Sequence, residues 1–103
     1  MLRTLVLMSW AALCLGRADS MLNPYQGQPA AERAGAKLYR RYCASCHDHG
    51  SGPSLRSPAV AAASPGALFW LLRHGSLRHG MPSWSHLPDP QRWQLITYLK
   101  TLR

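Results

Sequence analysis

The sequence has 103 residues, 47% of them apolar, and sets 12 lysines and arginines against 4 carboxylates for a formal charge of +8. This length holds one small domain and excludes a Rossmann or barrel enzyme. The apolar content excludes a disordered chain, and no apolar run reaches the roughly 18 residues that a membrane-spanning helix needs. Asp19, Glu32, Asp48 and Asp89 are far apart in sequence, which weighs against paired-carboxylate hydrolysis.

Residues 1–18 read as a secretory signal peptide. Arg3 gives the positive start, Leu5 to Leu15 is apolar apart from Ser9, and small Gly16 and Ala18 place the cleavage after Ala18. Left uncleaved, the stretch would serve as a membrane anchor, though a short one. Lipidation of Cys14 is the other alternative, and Leu13 argues against it. Cleavage leaves about 85 residues, a charge of about +6 and two cysteines, Cys43 and Cys46. Residues 19–29, with Asn23-Pro24, Gly27 and Pro29, are expected to be a flexible leader, so that the folded domain is 30–103.

Three helices are predicted. The first runs from about Pro29 to Tyr42, with Glu32 in its first turn and Arg40 and Arg41 in its last, as the helix dipole favours. The second runs from Pro65 to His74, with Ser64 as N-cap and Gly75 closing it. Its interior, Ala67 to Leu72, is apolar nearly all round, which predicts deep burial. The third starts with Asp89 as N-cap and Pro90 just inside and runs to about Leu102, with Trp93, Ile96 and Leu99 on one stripe. Linkers rich in Gly, Pro and Ser span 49–58 and 75–88. No alternating strand pattern occurs, so the fold class is all-α. A core of this size usually needs a staple, and two cysteines three apart close no useful loop.

The chemistry lies in Cys43-Ala44-Ser45-Cys46-His47, the Cys-x-x-Cys-His pattern of covalent haem attachment. Two thiols on one turn reach two vinyl groups on one porphyrin edge, and the histidine that follows turns its imidazole toward the iron. A redox dithiol would need a βαβ context. A structural zinc would need a second ligand pair, and His49, His74, His79 and His86 have no finger-like spacing.

With this motif, residues 30–103 resemble the class I c-type cytochromes in their short bacterial, monohaem form. Gly35 and Tyr39 stand four apart in the helix before the motif, where that family has a glycine and an aromatic. Gly80-Met81-Pro82 follows 34 residues after His47, and Tyr98 lies on the last helix, where the family packs an aromatic against the first. The resemblance implies three to four helices wrapped around one covalently attached haem c, bound through Cys43 and Cys46 with His47 and Met81 as metal ligands. Met21, in the leader, is the other methionine of the cleaved chain; His79 and an open sixth position are the alternatives to Met81. Gly52-Pro53-Ser54-Leu55 is similar to the family stretch whose proline carbonyl orients the iron-bound histidine, although the six-residue spacing from His47 to Pro53 is short for it. Leu55, Leu68, Trp70, Leu71 and Trp84 are candidates for the haem wall, with ordinary core packing as the alternative. Gly35 is expected at a close helix crossing, the alternative being a tolerated surface glycine.

Two filled axial positions leave no site for a substrate, so the expected role is one-electron transfer rather than enzyme catalysis. Arg73, His74, Arg78 and His79 flank Met81 in sequence and would steer a redox partner with an acidic docking face. The expected form is a periplasmic monomer that does not bind nucleic acid and shuttles between redox proteins. A haem subunit docked to a membrane-bound dehydrogenase or oxidase complex is the first alternative, and a haem sensor with a labile sixth ligand the second.

Overall fold

The computed structural model describes residues 21–103; the expected signal peptide, 1–18, lies outside the described residues. Helix α1 spans Pro29–Tyr42, α2 Ala44–His47, α3 Pro58–Ala62, α4 Pro65–His74 and α5 Asp89–Leu99, with a 3₁₀ turn at Leu77–His79. Among the described residues the only extended pairing is an isolated antiparallel bridge between Ser76 and Met81. The all-α expectation holds. None of the described helices is long and apolar enough to cross a membrane.

The α1–α5 pair makes the largest helix contact. Gly35 is its crossing point: a Cβ there would lie 2.0 Å from the Gln94 carbonyl oxygen and 2.8 Å from the Tyr98 Cβ. The close-crossing reading of Gly35 is therefore right and the surface reading wrong. One turn on, the Tyr39 and Tyr98 rings meet at 5.3 Å. From α5, Leu95, Ile96 and Leu99 fill the centre of the core, joined by Leu68, Phe69 and Leu72 of α4. Phe69 stacks on Trp93, with centroids 4.3 Å apart and planes at 16°.

Several expectations need correction. Helix α5 ends at Leu99 rather than Leu102, and its N-cap is Pro88 rather than Asp89. The Asp89 carboxylate instead pairs with the buried Arg92 guanidinium one turn on. Helix α4 is not buried all round: Leu68, Phe69 and Leu72 face the core, while Trp70 is half-buried and Leu71 is 43% exposed. A helix presents one stripe to its main neighbour, and for α4 among the described helices that neighbour is α5. Helix α3 was not expected. It begins as α4 does, with a serine before a proline: Ser57 Oγ accepts from the Val60 N–H at 3.3 Å and Ser64 Oγ from the Ala67 N–H at 3.2 Å. The Lys100 ammonium donates to the carbonyls of Val60, Ala61 and Ala63, fastening the end of α3 to the end of α5.

The described part of the expected leader is not loose. Asn23 is buried; its Nδ2 donates to Thr97 Oγ1 at 2.8 Å and its Oδ1 accepts from the Tyr25 N–H at 2.9 Å. A buried amide keeps its place because leaving it unpaired would cost about 1–3 kcal/mol.

Gly35→Ala tests the crossing. A methyl group against a carbonyl must push the helices apart, so chemical denaturation should show a loss of about 2 kcal/mol or more. At an open helical position the same change would stabilise by about 1 kcal/mol, so the sign of the effect decides.

Candidate functional site

Helix α1 delivers the attachment motif. Its last turn runs on into α2 through Cys43, whose N–H donates to the Tyr39 carbonyl at 2.9 Å. The Cys43 carbonyl then accepts from the N–H groups of Cys46 at 3.3 Å and His47 at 3.0 Å. Cys43 and Cys46 thus stand three apart on one turn, on the same side of it. Cys43 is buried, Cys46 exposed, and neither forms a disulfide. Burial, with the neighbouring Cys46 and Asp48 adding to it, pushes the Cys43 thiol up to about 11, so it remains protonated at neutral pH.

The loop after the turn orients His47. The Gly52 N–H donates to the Cys46 carbonyl at 2.8 Å, which brings the Pro53 carbonyl to 2.7 Å from His47 Nδ1. A carbonyl only accepts, so Nδ1 carries the proton and Nε2 of the neutral ring keeps its lone pair free for a metal. A Cβ at Gly52 would lie 2.8 Å from the Cys46 oxygen and 3.2 Å from His47 Nδ1, so this stretch needs a residue without a side chain. The short spacing to Pro53 does not prevent the contact.

A second tie closes the turn onto α1. The Tyr39 hydroxyl donates to Asp48 Oδ1 at 2.6 Å. Burial first, and then this bond, hold the Tyr39 proton well above the usual phenol range. Sequence reading named Tyr39 only as part of the family resemblance, four residues after Gly35. Nine residues of continuous helix would rise about 13.5 Å, so no local pattern signals that Asp48 comes within its reach.

Met81 lies on the other strand of the Ser76 bridge, half-buried against the core cluster. His79 is exposed, and its Nδ1 is 2.8 Å from Ser76 Oγ. Of the expected haem wall, Leu68 is in the core, with Leu55 and Trp84 packed against it, while Trp70 and Leu71 lie outside that cluster. Arg73 sits over the Trp70 ring at 5.2 Å, and the His74 ring stacks on the same indole at 5.4 Å. Among the described residues no three His, Cys, Asp or Glu side chains converge as a metal site, so the histidines named for a zinc do not gather into one.

The donor set fits a haem: two unpaired thiols on one turn, an imidazole with Nε2 free, and a loop that closes against them. The helical fold and the attachment turn define a small c-type cytochrome domain. Residues 30–99 match the family described as cytochrome c oxidase, cbb3-type, subunit III, and the chain belongs to that family. No curated protein and no solved structure matches it.

The Tyr39 proton gives a pH test. The folded chain holds that proton more tightly than the unfolded one, so the benefit is complete below the ordinary phenol value of 10.0 and is lost as pH rises beyond it. Tyr39→Phe should be less stable than the parent at pH 7, by about 1–3 kcal/mol for a hydrogen bond to a carboxylate. The gap should narrow above pH 10; a gap independent of pH would contradict the assignment.

Proposed function

We propose that this chain is a monohaem electron carrier, in which Cys43 and Cys46 would join haem c and His47 and Met81 would hold its iron. The observation that carries the reading is the His47 Nδ1–Pro53 contact, which leaves Nε2 as the one ring nitrogen able to bind metal. Bound haem supplies a one-electron ferric–ferrous couple. The protein's residues do the rest. The Pro53 carbonyl fixes the orientation of the His47 ring. Met81, a soft thioether packed against the core, favours the reduced state, and its bridge to Ser76 keeps it in place. Leu68, Leu55 and Trp84 exclude water from the interior. With His47 and Met81 both holding the iron, the chain would pass electrons and would leave no place for a substrate.

Partners are redox proteins with an acidic docking face. Arg73, Arg78, His74 and His79 are all exposed, in the same stretch as Leu71 and the 81%-exposed Leu77, a combination of apolar contact and positive field suited to brief docking. The Arg3 start and the apolar Leu5 to Leu15 stretch support export to the periplasm. A second reading, a subunit within an oxidase complex, is favoured by the family description. Gel filtration of a native extract separates the two: a carrier elutes at its own small size, a subunit with its complex.

Met81→Ala should keep its haem but bind carbon monoxide in the ferrous state, which the parent should refuse. A variant that still refuses it and keeps its potential would remove Met81 from the iron. Arg73→Glu with Arg78→Glu should slow electron transfer to an acidic partner about tenfold at low ionic strength, a difference that shrinks with added salt. An equal rate at low salt would place the docking face elsewhere.

A further inference from the structure

We propose that Ser83 is a positioning residue for Met81: together with the Ser76–Met81 bridge it clamps the methionine loop to the end of α4 and so resists displacement of the thioether. This role presupposes the axial role proposed above for Met81.

The clamp has two jaws. On the near side, the Ser76 N–H donates to the Met81 carbonyl at 2.9 Å and the Met81 N–H to the Ser76 carbonyl at 3.0 Å. On the far side, the Ser83 hydroxyl donates to the Arg73 carbonyl at 2.5 Å and the Trp84 N–H to the Leu72 carbonyl at 2.7 Å. Ser83 Oγ has one proton, spent on Arg73, so the neighbouring Ser85 must be the donor in its other contacts: N–H at 3.2 Å and hydroxyl at 3.1 Å. Between the jaws lies only Pro82, whose ring fixes its own φ. Two residues reach at most about 7 Å, so the loop has little slack.

The jaws close on one another at Gly75. Its φ is +71°, and a Cβ there would lie 2.6 Å from the Pro82 carbonyl carbon and 2.7 Å from the Ser83 nitrogen. The chain leaving α4 therefore runs directly against the chain leaving Met81. Capping α4 does not by itself demand this arrangement, because exposed last-turn carbonyls can bond to water. The partners here come instead from the two residues nearest Met81 that still have a donor, since Pro82 has none. Helix α4 is in turn seated on α5 through Phe69 and Trp93. Met81 is thus tied to the helical frame that also ends in Cys43.

The test uses the full, haem-bearing protein and imidazole as the competing ligand. Ser83→Ala should bind imidazole to the ferric form about fivefold more tightly, as expected for one lost hydrogen bond of ordinary strength. Hydrogen exchange at the Met81 and Trp84 amides should quicken by a similar factor while amides of α1 and α5 stay unchanged. Ser83→Thr, which keeps the hydroxyl, should restore both. Imidazole affinity equal to the parent's overturns the clamp, as does faster exchange spread over the whole fold, which would mark a general loss of stability. Met81→Ala distinguishes the two levels: if it binds imidazole no more tightly than the parent, the axial reading itself has failed. Should Ser83→Ala not accumulate, the parent still decides, because its Met81 and Trp84 amides must exchange together and more slowly than that of Leu77; faster exchange there refutes the clamp.

Discussion

Backbone contact between α1 and α5 at Gly35 is the constraint on which the other parts depend. With no side chain at that point, the Gln94 carbonyl can come within the space a Cβ would occupy. The contact seats α1 on α5, and α1 leads directly into Cys43 and the turn after it. Tyr39 uses both ends of its side chain here: the ring packs on Tyr98, and the hydroxyl reaches Asp48 beyond the attachment turn. On the opposite side α5 holds α4 through Trp93 and Phe69, and α4 holds the Met81 loop. The two proposed axial ligands come from chain segments 34 residues apart, yet both are referred to one helical frame.

This frame matters for electron transfer because reorganisation is small when neither ligand shifts between oxidation states. His47 is oriented through the Pro53 carbonyl, and Met81 is held from both sides. Neither restraint is strong alone; a hydrogen bond at an exposed site contributes about 1 kcal/mol. Their effect comes from acting at closely spaced points on short segments. A chain this small has a marginal core, and a covalently joined haem would complete its apolar interior as well as supply its chemistry.

The sequence made some of this plain and hid the rest. Helices α1 and α4 were legible because their ends carry local signals: Pro29 and Arg41 for one, Ser64 and Gly75 for the other. The Cys-x-x-Cys-His motif was legible because it is a local pattern, and the structure sets its two cysteines on one turn. Helix α3 carried the same serine–proline start as α4 but was passed over, since five residues show no periodicity. Asp89 looked like a cap until Arg92, one turn on, took its carboxylate. The apolar run of α4 showed its character but not its orientation, which depends on which side α5 packs against. Contacts between distant residues were out of reach: Asn23 on Thr97, Lys100 on the end of α3, Ser83 on Arg73. Each joins polar groups whose partner is chosen by the fold and not by neighbours in sequence.

The most direct measurement is the intact mass and visible spectrum of the mature protein purified from its native host. A mass equal to the processed polypeptide plus one haem, with a cytochrome spectrum that survives denaturation, is the predicted result. A colourless protein, still compact and helical at the mass of the polypeptide alone, would contradict the assignment of Cys43, Cys46 and His47 to a porphyrin.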